Sequence, residues 1–252
     1  MKLFSSLYDA IDRTTSTNAK VGAMVQYFQQ APRADAAWAV FFLTGRRLKR
    51  VIQLASIHDW TLAATGLDDW LLEECYSVVG DGAETAALVL DQMPAEVSDD
   101  VSDDLPLASW VTDRILPLRD ADPPTQQARV TSWWRGLDRL RRFILLKLIT
   151  GEFRVGVSQT LVVRALAEAA GLPATTIAAR LMGDWTPSAE WLSGVLSHER
   201  TDDDRSRPYP FCLASPLEAA PADPGPHRGG PDLDLLGSLD QWVLGSTPGS
   251  GS

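Results

Sequence analysis

Residues 150–158 combine residue types that are suited to binding a phosphate group. An apolar helix ends at Gly151, a short link carries Arg154, and Ser158 precedes the next apolar helical pattern. A helix N-terminus offers unpaired N–H groups, glycine lets a ligand approach closely, and arginine adds a fixed positive charge. The candidate contacts are Thr150, Gly151, Arg154, Gly156 and Ser158. The stretch predicts a phosphate cradle; an ordinary helix–turn–helix connection with one stray arginine is the alternative, since such caps are common.

Residues 43–51 repeat this pattern in outline. Leu43-Thr-Gly-Arg-Arg-Leu-Lys-Arg-Val51 ends a helix with Thr-Gly and continues with basic and apolar residues, as does Ile149-Thr-Gly-Glu-Phe-Arg-Val155. The candidate phosphate contacts of this copy are Thr44, Arg46, Arg47 and Lys49. Two copies predict a pseudo-duplicated helical domain with two similar basic turns, and chance similarity of so short a motif is the alternative.

No other side-chain pattern indicates catalysis or a metal. The sequence contains no P-loop, no HExxH motif, no Gly-rich dinucleotide loop and no Ser/His/Asp arrangement at a known spacing. The cysteines lack CxxC spacing, and the histidines have no ligand neighbours in the sequence. These residues are Cys75, Cys212, His58, His198 and His227. The carboxylate pairs Asp68-Asp69 and Glu73-Glu74 lie in helix first turns, where capping explains them, so we expect no catalytic residue and no metal site.

Charge is distributed unevenly along the chain, whose net charge is −10. Residues 1–60 carry eight Lys/Arg against four Asp/Glu, and residues 125–200 carry ten against six. Residues 61–124 carry two against fifteen, and residues 201–252 carry three against eight. A polyanion responds to local potential, so the two basic sections keep nucleic-acid binding open. A solvated face and linker is the alternative for the acidic section, and we prefer it for residues 96–104.

Helical periodicity runs through most of residues 1–200, without a convincing period-two strand. We expect an all-α domain of roughly twelve helices with halves 1–93 and 106–200, joined by a Pro-, Ser- and Asp-rich loop. One long helix is predicted from about residue 125 to 150. The other predicted helices cover about 3–11, 21–28, 36–43, 56–66, 70–79, 82–90, 107–116, 159–170, 174–182 and 187–196. Residues 201–220 predict an extended strap or linker, and residues 221–252 predict a disordered Gly/Pro/Ser-rich tail.

Five stretches match, in order, the motifs of one known family. They are Thr14-Thr-Ser-Thr-Asn-Ala-Lys20, Trp38-Ala-Val-Phe-Phe-Leu-Thr-Gly-Arg-Arg47, Trp70-Leu-Leu-Glu-Glu-Cys-Tyr76, Val79-Gly-Asp81 with Glu84-Thr85, and Leu148-Ile-Thr-Gly-Glu-Phe-Arg-Val-Gly-Val-Ser158. Together they resemble the N-terminal DNA-binding domain of bacterial ATP-dependent DNA ligases, over about residues 1–217. The resemblance implies an all-α domain with internal pseudo-two-fold symmetry that holds the minor groove on both sides of a nick, mainly through phosphate contacts. It adds Lys20 to the expected DNA contacts in the two turns.

The sequence departs from the whole family in one respect. The family's Lys-x-Asp-Gly motif, whose lysine ATP adenylates, begins at none of the chain's lysines, and no OB-fold domain is present. The lysines are Lys2, Lys20, Lys49 and Lys147. We expect the chain to need no cofactor of its own, although the resemblance implies ATP and Mg²⁺ for the full-length family. Alone it should neither form ligase-AMP nor seal a nick, so it is either a truncation or a frame that ends early.

These observations predict a cytoplasmic, nucleoid-associated monomer that binds nicked or duplex DNA and has a separate catalytic domain as a possible partner. No apolar run reaches the roughly 18 residues needed to span a bilayer, and no membrane partner is expected. The N-terminus is patterned as an amphipathic helix and not as a signal peptide. The alternative function is a helical protein-interaction scaffold whose acidic section, residues 61–124, binds a basic partner. A standalone enzyme of another type is disfavoured by the missing catalytic patterns.

Overall fold

The structure, a computed structural model, describes residues 1–92 and 105–199. Within these residues the fold contains twelve α-helices and no strand, which confirms the all-α prediction. The helices are α1 Lys2–Asp12, α2 Thr17–Gln30, α3 Arg33–Leu43, α4 Leu54–Thr65, α5 Asp69–Val79, α6 Gly82–Leu90, α7 Leu107–Ser109, α8 Pro123–Arg135, α9 Arg139–Thr150, α10 Gln159–Ala170, α11 Ala174–Arg180 and α12 Ala189–Val195. The predicted strap and tail, with Cys212 and His227, lie outside the described residues, as does nearly all of the predicted loop over 93–105.

The long helix predicted over 125–150 is wrong: it is two helices, α8 and α9. They are separated at Gly136, Leu137 and Asp138. Asp138 caps the N-terminus of α9: its carboxylate accepts a hydrogen bond of 2.9 Å from the N–H of Arg141. Apolar spacing continues across the break because Leu137 is itself buried. Periodicity alone therefore did not reveal the boundary.

The helix predicted over 107–116 exists but is irregular. After α7 the chain continues as a π-helical turn, Trp110–Ile115, and a 3₁₀ turn, Leu116–Asp120. Its start is held by the buried carboxylate of Asp35 in α3, which accepts hydrogen bonds from the N–H groups of Leu107 (3.0 Å) and Ala108 (2.9 Å). A distant side chain thus performs the capping that a local residue usually supplies.

One hydrophobic core joins the two predicted halves. Helix α2 packs on α10, α3 on α12, and α6 on both α4 and α9. Each of these helices buries apolar residues in this core. Such burial stabilises the fold by about 25 cal/mol per Å² of apolar surface. The pseudo-two-fold relation between the halves stays a prediction.

Helix α10 has an apolar inner face, with Val162, Ala165 and Leu166 fully buried. Among the described residues, no single helix is long and apolar enough to cross a membrane. Helices α10 and α11 meet the length and composition required only as a pair, and this pair is bent by 116°.

Candidate nucleic-acid interface

The two turns at Thr44-Gly45 and Thr150-Gly151 have the same local structure. In each, the glycine N–H donates to the carbonyl three residues earlier, and the next N–H donates to the carbonyl five residues before it, at 3.0–3.3 Å. This is the Schellman motif, which needs a left-handed residue, and Gly45 and Gly151 supply φ values of +84° and +71°. The hydroxyls of Thr44 and Thr150 donate back to carbonyls three and four residues earlier, at 2.8–3.4 Å. Residues 43–51 and 149–155 are therefore similar in backbone geometry as well as in sequence.

The structure also brings the two turns together. The carbonyl of Ile149 accepts hydrogen bonds from the N–H groups of Val51 (2.9 Å) and Ile52 (3.1 Å). A Cβ added to Gly151 would lie 2.9 Å from the carbonyl oxygen of Leu48, closer than real Cβ contacts occur. Two features therefore require glycine at position 151: its backbone is left-handed, and the backbone at Leu48 passes too close to leave room for a Cβ.

Phe153 fixes the link between the second turn and α10. Its ring is 3% exposed and lies 5.6 Å from the rings of Phe4 in α1 and Phe42 in α3. The next residue, Arg154, is exposed. The aromatic anchor therefore holds the backbone from which Arg154 projects. Sequence reasoning missed this role, although a lone aromatic residue between charged ones was the available signal.

Lys20 reaches the same link from α2. Its ammonium donates a hydrogen bond of 2.6 Å to the carbonyl of Gly156. Gly156 itself is exposed and is the centre of a tight turn closed by the N–H of Val157 and the carbonyl of Val155 at 2.7 Å. A lysine ammonium has three N–H donors, so two stay available after this contact.

Ser158 precedes α10, as predicted, and is exposed with extended backbone angles. Its hydroxyl makes no capping hydrogen bond, which differs from the predicted cap. The first N–H groups of any helix lack acceptors within the helix. The exposed Ser158 and the start of α10 thus follow directly on the link that carries Arg154 and contacts Lys20.

Three cations of the predicted set are exposed and unengaged: Arg47, Lys49 and Arg154. Within residues 1–92 and 105–199, no hydrogen bond or ion pair involves the charged group of any of them. Charged side chains near an exposed surface interact with a phosphate without the cost of first breaking an internal pair. Among the predicted contacts in the two turns, these three cations are exposed and have no internal partner among the described residues, and their role stays a prediction.

Arg46 is used differently, since much of its side chain contacts the protein itself. It donates a hydrogen bond of 2.6 Å to the carbonyl of Gly183, and its guanidinium lies 4.3 Å from the ring centre of Trp185. Trp185 in turn stacks on Trp191 at 3.9 Å between ring centres. Arg46 thus ties the first turn to the segment before α12, where the two tryptophans stack on each other.

Two further basic residues of α9, close to the second turn in the sequence, make internal contacts. The guanidinium of Arg142 is buried and donates to the carbonyls of Trp134, Ala87 and Leu137 at 2.9–3.3 Å. The ammonium of Lys147 is paired with the carboxylate of Asp81. The sequence placed both near the turn, but α9 directs them into the protein.

A polar cleft of about 600 Å³ lies beside Arg154, lined by α1, α6, α9 and the link. Burial raises the pKa of its Tyr8 hydroxyl to about 12, and the nearby carboxylates of Asp12, Glu84 and Asp81 add to the increase. Burial also raises the pKa of the Asp81 carboxyl, but hydrogen bonds from Lys147 and from backbone N–H groups outweigh it and leave that pKa below its usual range. The cleft lining also contains Arg13, Arg139, Lys147 and Arg154, so its carboxylates lie beside basic side chains.

The chain is similar to known proteins over most of its length. The family described as DNA ligase N terminus matches residues 1–167. A probable DNA ligase of Koribacter versatilis (strain Ellin345) is 26% identical over 242 residues, which cover 87% of this chain and 38% of that protein. A probable DNA ligase of Opitutus terrae (strain DSM 11246 / JCM 15787 / PB90-1) is 26% identical over 261 residues, which cover 87% of this chain and 25% of that protein. The chain thus spans well under half the length of either relative.

The matched region contains both Thr-Gly turns, Lys20, and the start of α10. It also contains Phe153, which anchors the link, and the exposed Arg154. On this match, the chain belongs to the DNA ligase N terminus family.

Proposed function

We propose that the protein binds nicked or duplex DNA as the DNA-binding domain of an ATP-dependent DNA ligase, holding the phosphate backbone in the minor groove. The observation that carries the proposal is the pair of Schellman turns, joined through Ile149, with exposed and unengaged cations at Arg47, Lys49 and Arg154. Cations on rigid helix ends bind a regular array of phosphates at little cost in conformational entropy. Contacts of this kind give affinity without sequence preference.

The charge distribution supports the same function. Both turns lie in the basic sections of a chain whose net charge is −10. An acidic surface elsewhere repels DNA and so limits binding to the turn surface. The family membership and the two probable DNA ligases among the relatives agree with a DNA partner.

Titration of a fluorescent nicked duplex at several salt concentrations tests the proposal. We expect the logarithm of the binding constant to fall linearly with the logarithm of salt concentration, with about 0.9 units of slope per phosphate contact. An intact duplex of the same sequence and a second nicked sequence serve as comparisons. Absence of binding at low salt, or binding that salt does not weaken, contradicts the proposal.

Sealing of the nick is assigned to another part of the ligase. None of the four lysines begins a Lys-x-Asp-Gly motif, and Lys147 and Lys20 are engaged by Asp81 and Gly156. The four lysines of the chain thus do not fit the role of an adenylated lysine. Incubation with labelled ATP and Mg²⁺ should leave the chain unlabelled, and a covalent adduct would overturn this part of the proposal. A separate catalytic domain and a place at the nucleoid in the cytoplasm belong to the same proposal.

One observation favours the alternative, a protein-interaction scaffold. In the acidic section, α5 exposes three large apolar side chains: Trp70 (64%), Tyr76 (44%) and Val78 (85%). Exposed apolar groups of this kind often mark interaction surfaces. The two functions are distinguished by titrating a basic amphipathic peptide and nicked DNA in parallel. A scaffold requires peptide binding that Trp70→Ala weakens and Arg154→Glu does not, whereas the DNA-binding function requires the reverse for DNA.

A further inference from the structure

A histidine and two carboxylates converge where α4 and α5 meet. The Nε2 atom of His58 lies 3.4 Å from Oδ1 of Asp69 and 3.5 Å from Oε1 of Glu73. One nitrogen and two oxygens from these residues all lie within 4.8 Å of one another. Asp69 is the first residue of α5 and Glu73 follows one turn later, so both carboxylates lie on one helix face.

One ring nitrogen of His58 has no hydrogen-bond partner among the described residues. Nε2 of His58 is shielded from solvent and has no hydrogen-bond partner, even though two carboxylates lie close to it. A buried polar atom without a partner is rare and calls for an explanation, of which an ion is one. The geometry points to a Zn²⁺ site formed by His58, Asp69 and Glu73.

The distances suit this ion. Zinc binds histidine nitrogen and carboxylate oxygen at about 2.0–2.2 Å in a tetrahedron, so neighbouring ligand atoms lie roughly 3.3–3.6 Å apart. The two distances from His58, 3.4 and 3.5 Å, fall in that interval. A hydrogen-bonded pair would be closer, at about 2.7–3.2 Å. Two carboxylates at these distances from one unpartnered ring nitrogen are compatible with a shared metal.

The other ring nitrogen has a carboxylate nearby, but not within hydrogen-bonding distance: Oδ1 of Asp59 lies 3.7 Å from Nδ1 of His58. A carboxylate on this side of a liganding imidazole would favour the tautomer that leaves Nε2 free to bind the metal, if it moved into hydrogen-bonding distance. A pocket of about 390 Å³ borders His58, Asp59 and Glu73 and leaves room for water as the fourth ligand.

The ligand set also selects the metal. Imidazole nitrogen favours zinc and related transition metals, whereas Mg²⁺ prefers an octahedron of oxygen ligands. The site is therefore separate from the Mg²⁺ that DNA sealing uses. Its ligands come from consecutive helices joined by residues 66–68, so the ion would cross-link α4 to α5 and stabilise this hairpin.

The sequence could not show this site. The ligands lie 11 and 15 residues after His58, a spacing that no zinc motif shares, and each carboxylate is explained locally by its place in the first turns of α5. The expectation that no metal site exists therefore rested on spacing alone. Only the turn between α4 and α5 brings the three side chains together.

Calorimetric titration of the full chain, first dialysed against EDTA, tests the site. We expect one Zn²⁺ per chain, a higher thermal unfolding midpoint with Zn²⁺, and neither effect with Mg²⁺. Co²⁺ bound in its place should show the visible absorption of a tetrahedral ion. His58→Gln and Glu73→Gln should each abolish these effects, and Asp59→Asn should weaken binding about 10- to 100-fold.

Matched variants control for other ligands. His198→Gln, His227→Gln and Cys75→Ser should bind Zn²⁺ as the native chain does. The circular dichroism of the metal-free His58→Gln and Glu73→Gln variants should equal that of the metal-free native chain, which separates loss of a ligand from loss of fold. The proposal is overturned if the native chain binds no Zn²⁺, if binding survives in both ligand variants, or if it is lost in one of the three controls. Because no readout uses DNA, its outcome is independent of the proposed function.

Discussion

Lys20 and Gly156 are separated by 136 residues and joined by a hydrogen bond of 2.6 Å from the lysine ammonium to the glycine carbonyl. The contact ties the start of α2 to the link that carries Arg154. In the proposed DNA-binding function, Lys20 would therefore have two roles. It would contribute its own charge, and it would hold the link that carries Arg154 in place.

Lys20→Gln should therefore weaken DNA binding in a manner coupled to Arg154. In a double-mutant cycle with Arg154→Gln, we expect a coupling energy of about 0.5–3 kcal/mol, because residues that share one structural unit are not additive. The cycle is measured from binding of nicked duplex at fixed salt. Arg33→Gln, at the far end of α3, supplies the additive comparison. Strict additivity of Lys20 and Arg154 would show that the hydrogen bond does not organise the link.

Charge reversal at the exposed cations should weaken DNA binding equally for all sequences. Arg47→Glu and Arg154→Glu each remove a phosphate contact and add repulsion, so the salt slope should fall by about one unit. Arg33→Glu is the matched control, since Arg33 is exposed at the start of the helix whose other end forms the first turn. Equal loss of affinity in all three variants would point to a general charge effect and not to the turns.

Gly151→Ala should destabilise the protein more than Gly45→Ala. Both positions have left-handed backbone, which costs an alanine about 1–2 kcal/mol. Only at Gly151 would the new Cβ also meet a backbone atom, the carbonyl oxygen of Leu48 at 2.9 Å, whereas nothing lies within 4 Å at Gly45. Relieving that contact should cost about 1–3 kcal/mol more. Urea unfolding of the two variants measures the difference, and equal costs would contradict the close approach of the two turns.

Arg142→Met should destabilise the protein by about 3–5 kcal/mol, since buried carbonyls lose their charged donor. The guanidinium of Arg142 serves three carbonyls across α6, α8 and the break before α9. Arg139→Met, on an exposed position of the same helix, should change the free energy of unfolding by no more than about 0.5 kcal/mol. Similar urea midpoints for the two variants would exclude the structural role of Arg142.

Asp81 should make stability depend on pH in the acidic range. Hydrogen bonds from Lys147 and from backbone N–H groups hold the folded pKa of the Asp81 carboxyl below its usual range, so the stabilisation is present above the usual pKa and is lost as the pH falls through the lowered folded pKa. Asp81→Asn keeps a capping side chain but removes the charge, so its thermal midpoint should approach that of the native chain at low pH. Lys147→Met should lose the same pH dependence, because it removes the ammonium that lowers the pKa. Asp122→Asn removes a carboxylate that caps α8 by accepting a hydrogen bond from the N–H of Thr125, with no lysine involved, so its effect should not depend on Lys147.

The helical class and most helices followed from the sequence, because apolar spacing records which face of a helix is buried. The repeated Thr-Gly pattern predicted two similar turns at helix ends, and in the structure both glycines, Gly45 and Gly151, have left-handed backbone. Spacing failed at 136–138, where a buried leucine carries the apolar pattern across a break. It also failed for the irregular helix after Leu107, whose start depends on Asp35 in another helix.

Which cations are exposed was decided by the tertiary structure alone. Arg142 and Arg154 are the same residue type, yet Arg142 is buried against carbonyls and Arg154 is exposed. The difference arises because Arg142 lies on α9, whereas Arg154 follows the buried Phe153. The same holds for His58, whose two carboxylate neighbours come from the next helix. A residue's type and its sequence neighbours determine local backbone structure and charge. Which distant groups meet depends on long-range packing, and here that packing alone joined Lys20 to Gly156 and the two turns to each other.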